Sequence, residues 1–452
     1  MKENFKMEKL ALFGGTPAVT CDTSEKGPMK KWPIFTEEEE AAVLEVLRKN
    51  AMSETAITKE FEQKFAQWMG AEYALGFNNG TSSLMAAMYG AGIRKGDEVI
   101  CPSVVYWAAC AQVMALGASP VFANLDETTL CIDPDDIEAK ITDKTKAVIV
   151  VHYLGHPCDM DRIMEIARKN NLKVIEDVSH AQGGKYKGRM LGTIGDVAGI
   201  SLMGGKSFAI GEAGMLVTND REIYEHARAL GHYDRFTKAD TTCEDLKPYT
   251  GLPLGGYKFR MHQMSSAVGL VQLKYYDERC AEIRKAMNYF WDLLEGVPGI
   301  RPHRVDESEG STMAGWYAPH GIYVSEELGG LSVTRFCEAV RAEGVFECWP
   351  GANLALHTHN LFQTADVYGD GKPTRIANAS RDVRESDANL QRSVDIGKKT
   401  YTIPWLKKFI PEEIEQYANA FKKVALNYKE LLKDDPGDPE TIGAWHFFKH
   451  TK

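Results

Sequence analysis

AVIVVHYLGHPCDMDRIMEIARKNNLKVIEDV, residues 147–178, decides the fold. Its two ends are runs of Val and Ile without polar alternation, which read as strands buried on both faces. Between them, MDRIMEIARKNN repeats its apolar residues at helical spacing. Strand, helix, strand is the unit of a parallel sheet, because parallel neighbours need a long crossover. The alternation continues on either side. EVICPS (98–103), SPVFANL (119–125), VAGISLM (197–203) and GMLVTND (214–220) are further strand candidates, and SSLMAAMYGAG (82–92) is a further helix. The expected architecture is α/β, with a mostly parallel sheet and helices on its faces. Ligands of such sheets sit beyond the carboxyl ends of the strands. The residues just after these runs therefore hold the chemistry.

A chain of 452 residues is too long for one ordinary core, so at least two domains are expected. The large one spans 51–285. AMNYFWDLLEGVPGI, SVTRFCEAVRAEGV and IPEEIEQYANAFKKVALNYKELL give an α+β pattern for a smaller domain over 286–452. Residues 1–50 are expected to pack on that smaller domain, and the polar stretch 365–400 reads as an insertion or loop. The net charge of −10, from 53 basic and 63 acidic residues, argues against nucleic acid and anionic membranes as partners. The opening MKENFKMEKLALFGG has too short an apolar run for a signal peptide, and no stretch is long enough to span a membrane. Nine cysteines without a CxxC pair suit a reducing cytoplasm. HTH (357–359) and the pair His152 and His156 lack supporting Cys or carboxylate residues, so no metal site is expected.

SLMGGKSFAIGEAG (201–214) places Lys206 among small residues at the end of a strand. Partial loss of hydration disfavours the ammonium and makes the amine a nucleophile able to hold an aldehyde. The alternative is an ordinary solvated loop lysine. Asp177 ends LKVIED and should emerge at the carboxyl end of its strand. A buried carboxylate there needs a cation, and the protonated ring nitrogen of pyridoxal phosphate is one. The alternative is a helix cap within EDVSHA. In NNGTSSLMAAMYG (78–90), Gly80, Thr81 and Ser82 open a helix whose first-turn amides and hydroxyls form an anion site; a plain cap is the competing reading. Ser201 is placed to add a hydroxyl to the same anion. Tyr106 could stack on a cofactor ring, with Trp107 as rival. His180 could point into the same pocket and bond a ring hydroxyl.

Taken together, these segments resemble the DegT/DnrJ/StrS-type sugar aminotransferases, a fold-type-I family dependent on pyridoxal phosphate. The resemblance runs from LALFGGTPAV through NGTSSL, GDEVICPSVVYWAACA, GASPVFANLD, VHYLGHPCDMDRIMEIA, VIEDVSHAQGGKYKGRMLGTIGD and SLMGGKSFAIGEAG to GGYKFRMHQMSSAVGLVQL. It implies a seven-stranded, mostly parallel sheet in the large domain. It makes Lys206 the lysine that carries the cofactor aldehyde and Asp177 the partner of the pyridine nitrogen. It puts His180 near the ring hydroxyl, Thr81, Ser82 and Ser201 on the phosphate, and Tyr106 on the ring face. It further implies a homodimer with sites at the interface, toward which the GYNYRM-like segment reaches. Here that segment carries Lys258 where Asn is common, and GEAG replaces the usual GEGG. Residues 300–400 fit the pattern least. The implied reaction moves an amino group from glutamine or glutamate to a keto sugar or keto-cyclitol. A sugar dehydratase on the same scaffold is the nearest rival, but related deoxygenating enzymes replace the lysine with His. A regulatory protein without turnover would want a DNA-reading module with a basic face, and no such module is apparent.

Overall fold

The computed structural model describes residues 8–24 and 27–444. Positions 1–7 and 25–26 of the expected N-terminal segment, and 445–452 of the expected small domain, lie outside them. Helices α1 (Glu37–Arg48) and α2 (Ala56–Met69) lead into β1 (Tyr73–Phe77) and α3 (Gly80–Gly90). Then follow β2 (Glu98–Pro102), β3 (Ser119–Ala123), β4 (Thr145–Val151), α4 (Met160–Lys169) and β5 (Lys173–Asp177). β6 (Val197–Ser201), β7 (Gly214–Thr218), α5 (Arg221–Gly231) and the long α6 (Gln263–Leu293) complete the first layer set.

The seven strands form one sheet in the order β1-β7-β6-β5-β4-β2-β3. The five from β6 to β3 are parallel, and β7 runs antiparallel to both its neighbours. Helix α4 shows how the opening stretch folds. Asp159 caps its first turn through Arg162 N–H at 3.2 Å, Met160, Ile163, Ile166 and Ala167 bury one face, and Arg168 and Lys169 close the last turn. Each choice agrees with helix electrostatics and periodicity.

A second core gathers Phe290, Trp291, Trp316, Tyr323, Phe336, Tyr401 and Phe421. It is built on the antiparallel strands β8 (Ile300–Pro302), β9 (His320–Tyr323) and β10 (Thr400–Thr402), with α7 (Val333–Ala342) and α8 (Pro411–Leu426). Leu10, Val19 and Met29 of the N-terminal segment are buried in this same cluster. The chain does not change cores once, at 286. Helix α6 runs through that point, with Tyr276 in the first core and Phe290 in the second. Residues 352–396 then return, burying Ala352, Leu356, Phe362, Leu390 and Ile396 in the first core.

This returning segment covers β3, the sheet's edge. Phe122 N–H donates to Glu385 Oε1 at 2.7 Å, and Arg375 Nε donates to Pro120 O at 2.8 Å. Arg375 and Glu385 are themselves a buried ion pair. An uncovered edge would leave a row of unpaired backbone groups open to a second strand. His357 fastens the segment to the end of β2, its Nδ1 3.1 Å from Ser103 Oγ and its Nε2 3.1 Å from Asp387 Oδ1. Ser103 is fully buried, so this Ser–His–Asp arrangement is a clip closed to substrate. Among the described residues, no helix is long and apolar enough to cross a membrane.

Candidate functional site

Strands β5 and β6 are neighbours, with Asp177 in register with Gly199. Their carboxyl ends therefore deliver Asp177 and Ser201 to one place. Asp177 Oδ1 accepts from Ser179 N–H at 2.9 Å, and Ser179 Oγ accepts from Ser201 N–H at 2.9 Å. The residues after Asp177 form a turn, so it does not cap a helix. Burial pushes its carboxyl up from the ordinary value; Ser179 and the Lys206 charge pull it part of the way back. It is a carboxylate short of a cation.

Lys206 is 8% exposed, which rules out the solvated-loop reading. Its backbone is held from two sides. Its N–H donates to Met203 O at 2.8 Å, and its carbonyl accepts from Trp32 Nε1 at 2.9 Å. Burial lowers the amine to about 8, while Asp177 works in the opposite direction. Near neutral pH such an amine spends far more of its time as free base than an ordinary lysine does. Nζ lies 4.1 Å from the centroid of the Tyr317 ring.

His180 is buried, and burial together with the Lys206 charge holds it neutral, well below its usual value. Its Nδ1 accepts from Leu154 N–H at 3.3 Å. The ring proton therefore sits on Nε2, which makes that atom a donor. Tyr153 and Tyr317 flank the ring, at 5.6 and 4.7 Å between centroids.

Helix α3 points its first turn at the end of β6. A Cβ on Gly80 would lie 2.6 Å from Ser201 Cβ and 2.7 Å from its Cα. Only glycine permits this approach. Asn79 is the cap, its Oδ1 accepting from Ser82 N–H at 2.8 Å. The Thr81 and Ser82 hydroxyls are thus not used for capping. Both residues line a groove with Gln112, Tyr257 and Phe259. Lys258, between those aromatics, is exposed. Tyr106 is 39% exposed, and its ring tilts against Trp107 at 5.2 Å.

Several residues escaped the sequence reading. Gln182 Nε2 donates to Ser179 O at 3.1 Å and to Ser201 O at 2.7 Å, and its Oε1 accepts from Ser207 Oγ at 2.6 Å. Tyr276 OH, on α6, donates to Gln182 O at 2.8 Å. Through its side-chain amide and its backbone carbonyl, one buried glutamine thus joins the β5 turn, the end of β6, the Lys206 loop and α6. Gln182 and Ser207 stand beside His180 and Lys206 in sequence, and that adjacency was the available signal. Tyr317, Trp32 and Tyr276 come from distant segments and carry no local signal.

The DegT/DnrJ/EryC1/StrS aminotransferase family model matches residues 33–420. The spore coat polysaccharide biosynthesis protein SpsC of Bacillus subtilis is 29% identical over 395 residues, covering 87% of this chain and 95% of its own. The L-glutamine:2-deoxy-scyllo-inosose aminotransferase of Streptoalloteichus tenebrarius is 31% identical over 370 residues, covering 79% of this chain and 84% of its own. The X-ray structure of an aminotransferase from Psychrobacter cryohalolentis superposes with a TM-score of 0.76 at 29% identity, covering 89% of this chain and 100% of that one. The chain belongs to the DegT/DnrJ/EryC1/StrS aminotransferase family, whose cofactor is pyridoxal phosphate.

Proposed function

We propose that this enzyme transfers the amino group of glutamine or glutamate to a ketone on a sugar or cyclitol, with Lys206 and Asp177 as its catalytic pair. The observation that carries the reading is a dehydrated amine and a buried, cation-poor carboxyl at the ends of adjacent strands. The residues fit pyridoxal phosphate. Asp177 lacks the cation that a protonated ring nitrogen supplies, and the Gly80 cradle is closed to any side chain. When bound, the cofactor supplies an aldehyde that captures amines and a protonated ring that draws electrons from the bond being broken.

Lys206 would be the residue that holds the cofactor's aldehyde carbon. Its freed amine would take the proton from the donor's α-carbon and pass it to that same carbon, and would carry a proton the opposite way for the acceptor in the second half-reaction. Asp177 would hold the proton on the ring nitrogen. His180, with Nε2–H as its donor, would bond the ring hydroxyl oxygen. Thr81, Ser82 and Ser201, with the first-turn amides of α3, hold the phosphate. Tyr106 would cover the ring. Lys258 would supply a positive charge toward a phosphate across a homodimer interface.

The acceptor class rests on relatives named as an inosose aminotransferase and, at 38% identity over 259 residues, a GDP-perosamine synthase of Escherichia coli O157:H7. A lysine at 206 favours amination over the dehydratase chemistry of related scaffolds. The purified protein should show a visible absorption band that borohydride bleaches, fixing the cofactor to Lys206. Lys206→Ala should lose the band and at least about 10³-fold in turnover. A panel of keto sugars and inososes, scored by transfer of labelled α-nitrogen, identifies the acceptor. A colourless wild-type protein indifferent to added cofactor would sink the reading, and ammonia release without an amine product would favour the dehydratase.

A further inference from the structure

The backbone leading into β9 is unusual. Ala314, Trp316 and Ala318 have φ of 45°, 50° and 50°. Alternate non-glycine residues are thus left-handed, a costly conformation for L-residues. Strain of this kind persists only where surrounding structure enforces it, and it concentrates at functional sites. Here the enforcing contacts are visible. Gly315 lies so close to Ser207 that a Cβ there would come within 2.3 Å of the serine Cβ, and its carbonyl accepts from Trp405 Nε1 at 2.9 Å. Trp405 in turn meets Tyr317 edge-on at 5.9 Å. The strained segment carries the Tyr317 ring, its centroid 4.1 Å from Lys206 Nζ and 4.7 Å from the His180 ring.

We propose that Tyr317 is a positioning residue whose ring face is the resting place of the Lys206 amine whenever that amine is not joined to a carbonyl. This rests on the role given to Lys206 above. A lysine released by the amino donor must remain within reach to carry a proton, yet its chain has four rotatable carbons and its pocket disfavours charge. An aromatic face attracts the ammonium without neutralising it and without competing as a base. Asp177 and His180 are the other titratable groups bearing on the amine. Asp177 draws it toward the end of β5, and neutral His180 adds no charge. Tyr317 supplies the attraction from the second domain.

The test reads the amine itself. Full-length protein freed of cofactor is treated with formaldehyde and cyanoborohydride across pH 6.5–10, and methylation of Lys206 is followed by peptide mass spectrometry. Tyr317→Phe keeps the ring and should leave the midpoint within about 0.3 unit of wild type. Tyr317→Leu removes it and should lower the midpoint by about half to one and a half units. Tyr317→Trp, a stronger ring face, should raise it, and this keeps the test open if the leucine variant folds poorly. In the loaded enzyme, Tyr317→Leu should lower kcat by about tenfold with KM for the amino donor little changed, while Tyr317→Phe should retain turnover. Coincident midpoints for wild type and Tyr317→Leu, or a Trp variant that fails to raise the midpoint, would overturn the proposal. Borohydride fixation of cofactor on Lys206 in the same preparations tests the catalytic reading separately, since the labelling midpoint needs no cofactor.

Discussion

Glu176 and Asp177 are consecutive carboxylates on β5, and alternation along the strand sends them to opposite faces. Behind the sheet, Glu176 Oε2 accepts from His152 Nε2 at 3.0 Å and from Gly192 N–H at 2.8 Å, and Oε1 accepts from Ile194 and Gly195 N–H at 2.9 and 2.6 Å. Burial works to raise its pKa, but His152 and the loop amides prevail and hold it below the usual value. In front, Asp177 is equally enclosed, has Ser179 as its direct partner, and is raised. The same chemical group is finished on one face and left unfinished on the other. The back carboxylate is satisfied by the fold, and the front one is left without a hydrogen-bonded cation.

The sharpest way to break this contrast is to remove one carboxylate at a time. Asp177→Asn should lower kcat on the order of 10³-fold or more, about 4 kcal/mol of barrier. Its cofactor-free stability should stay within about 1 kcal/mol of wild type, because the lost charge was poorly satisfied. A stable Asp177→Asn enzyme with near-normal turnover would end the claim that this carboxyl works on a ligand.

Glu176→Gln should do the reverse. An amide NH₂ would face backbone donors, so urea unfolding should show a loss of about 3–5 kcal/mol, with kcat of the folded enzyme changed less than tenfold. The pH dependence should separate the two as well. A carboxylate with lowered folded pKa contributes stability present above its unfolded value and lost as pH falls. One with raised folded pKa contributes stability that is full below its unfolded value and fades as pH rises through the folded one. The deficit of Glu176→Gln against wild type should therefore be full above about pH 4.5 and shrink as pH falls below it. As pH rises from about 4, cofactor-free Asp177→Asn should instead gain on wild type. Parallel curves for the two variants would refute the asymmetry.

The strands were legible where Val and Ile run together, as in β4 and β5, because burial on both faces leaves no other composition. β1, YALGF, was not, since Ala74 and Gly76 dilute its strand character and its pairing with β7 is a tertiary fact. Helix α6 was read only from about residue 286, because its earlier turns mix Ser, Gly and Gln with apolar residues to fit between α1 and α2. The polar stretch after 365 gave no hint that Arg375 and Glu385 seal the edge of β3, for edge capping by side chains has no periodicity. In the site, Asp177 ends a strand and His180 and Lys206 follow strands; that position made them candidates, and only their combination and the family resemblance suggested roles. Tyr317, Trp32 and Tyr276 reach the same place through contacts that no local pattern encodes.

The smallest expected effect concerns the front face again. If that face is held under tension for function while the back is relaxed, easing the tension should stabilise the molecule and loosen the site. Ala314→Gly and Ala318→Gly each remove a left-handed alanine. Each should add about 0.5–1 kcal/mol to unfolding in urea, the relief of steric cost less the added chain entropy of glycine. The double variant should lose turnover about threefold as the Tyr317 ring gains freedom. Gly195, beneath Glu176, offers the control: Gly195→Ala would bring a Cβ within 2.8 Å of Val174 O and should destabilise, because the back face has no slack to relieve. Glycines at 314 and 318 that lower stability would show those alanines to be unstrained, and the two faces would then differ in charge satisfaction alone.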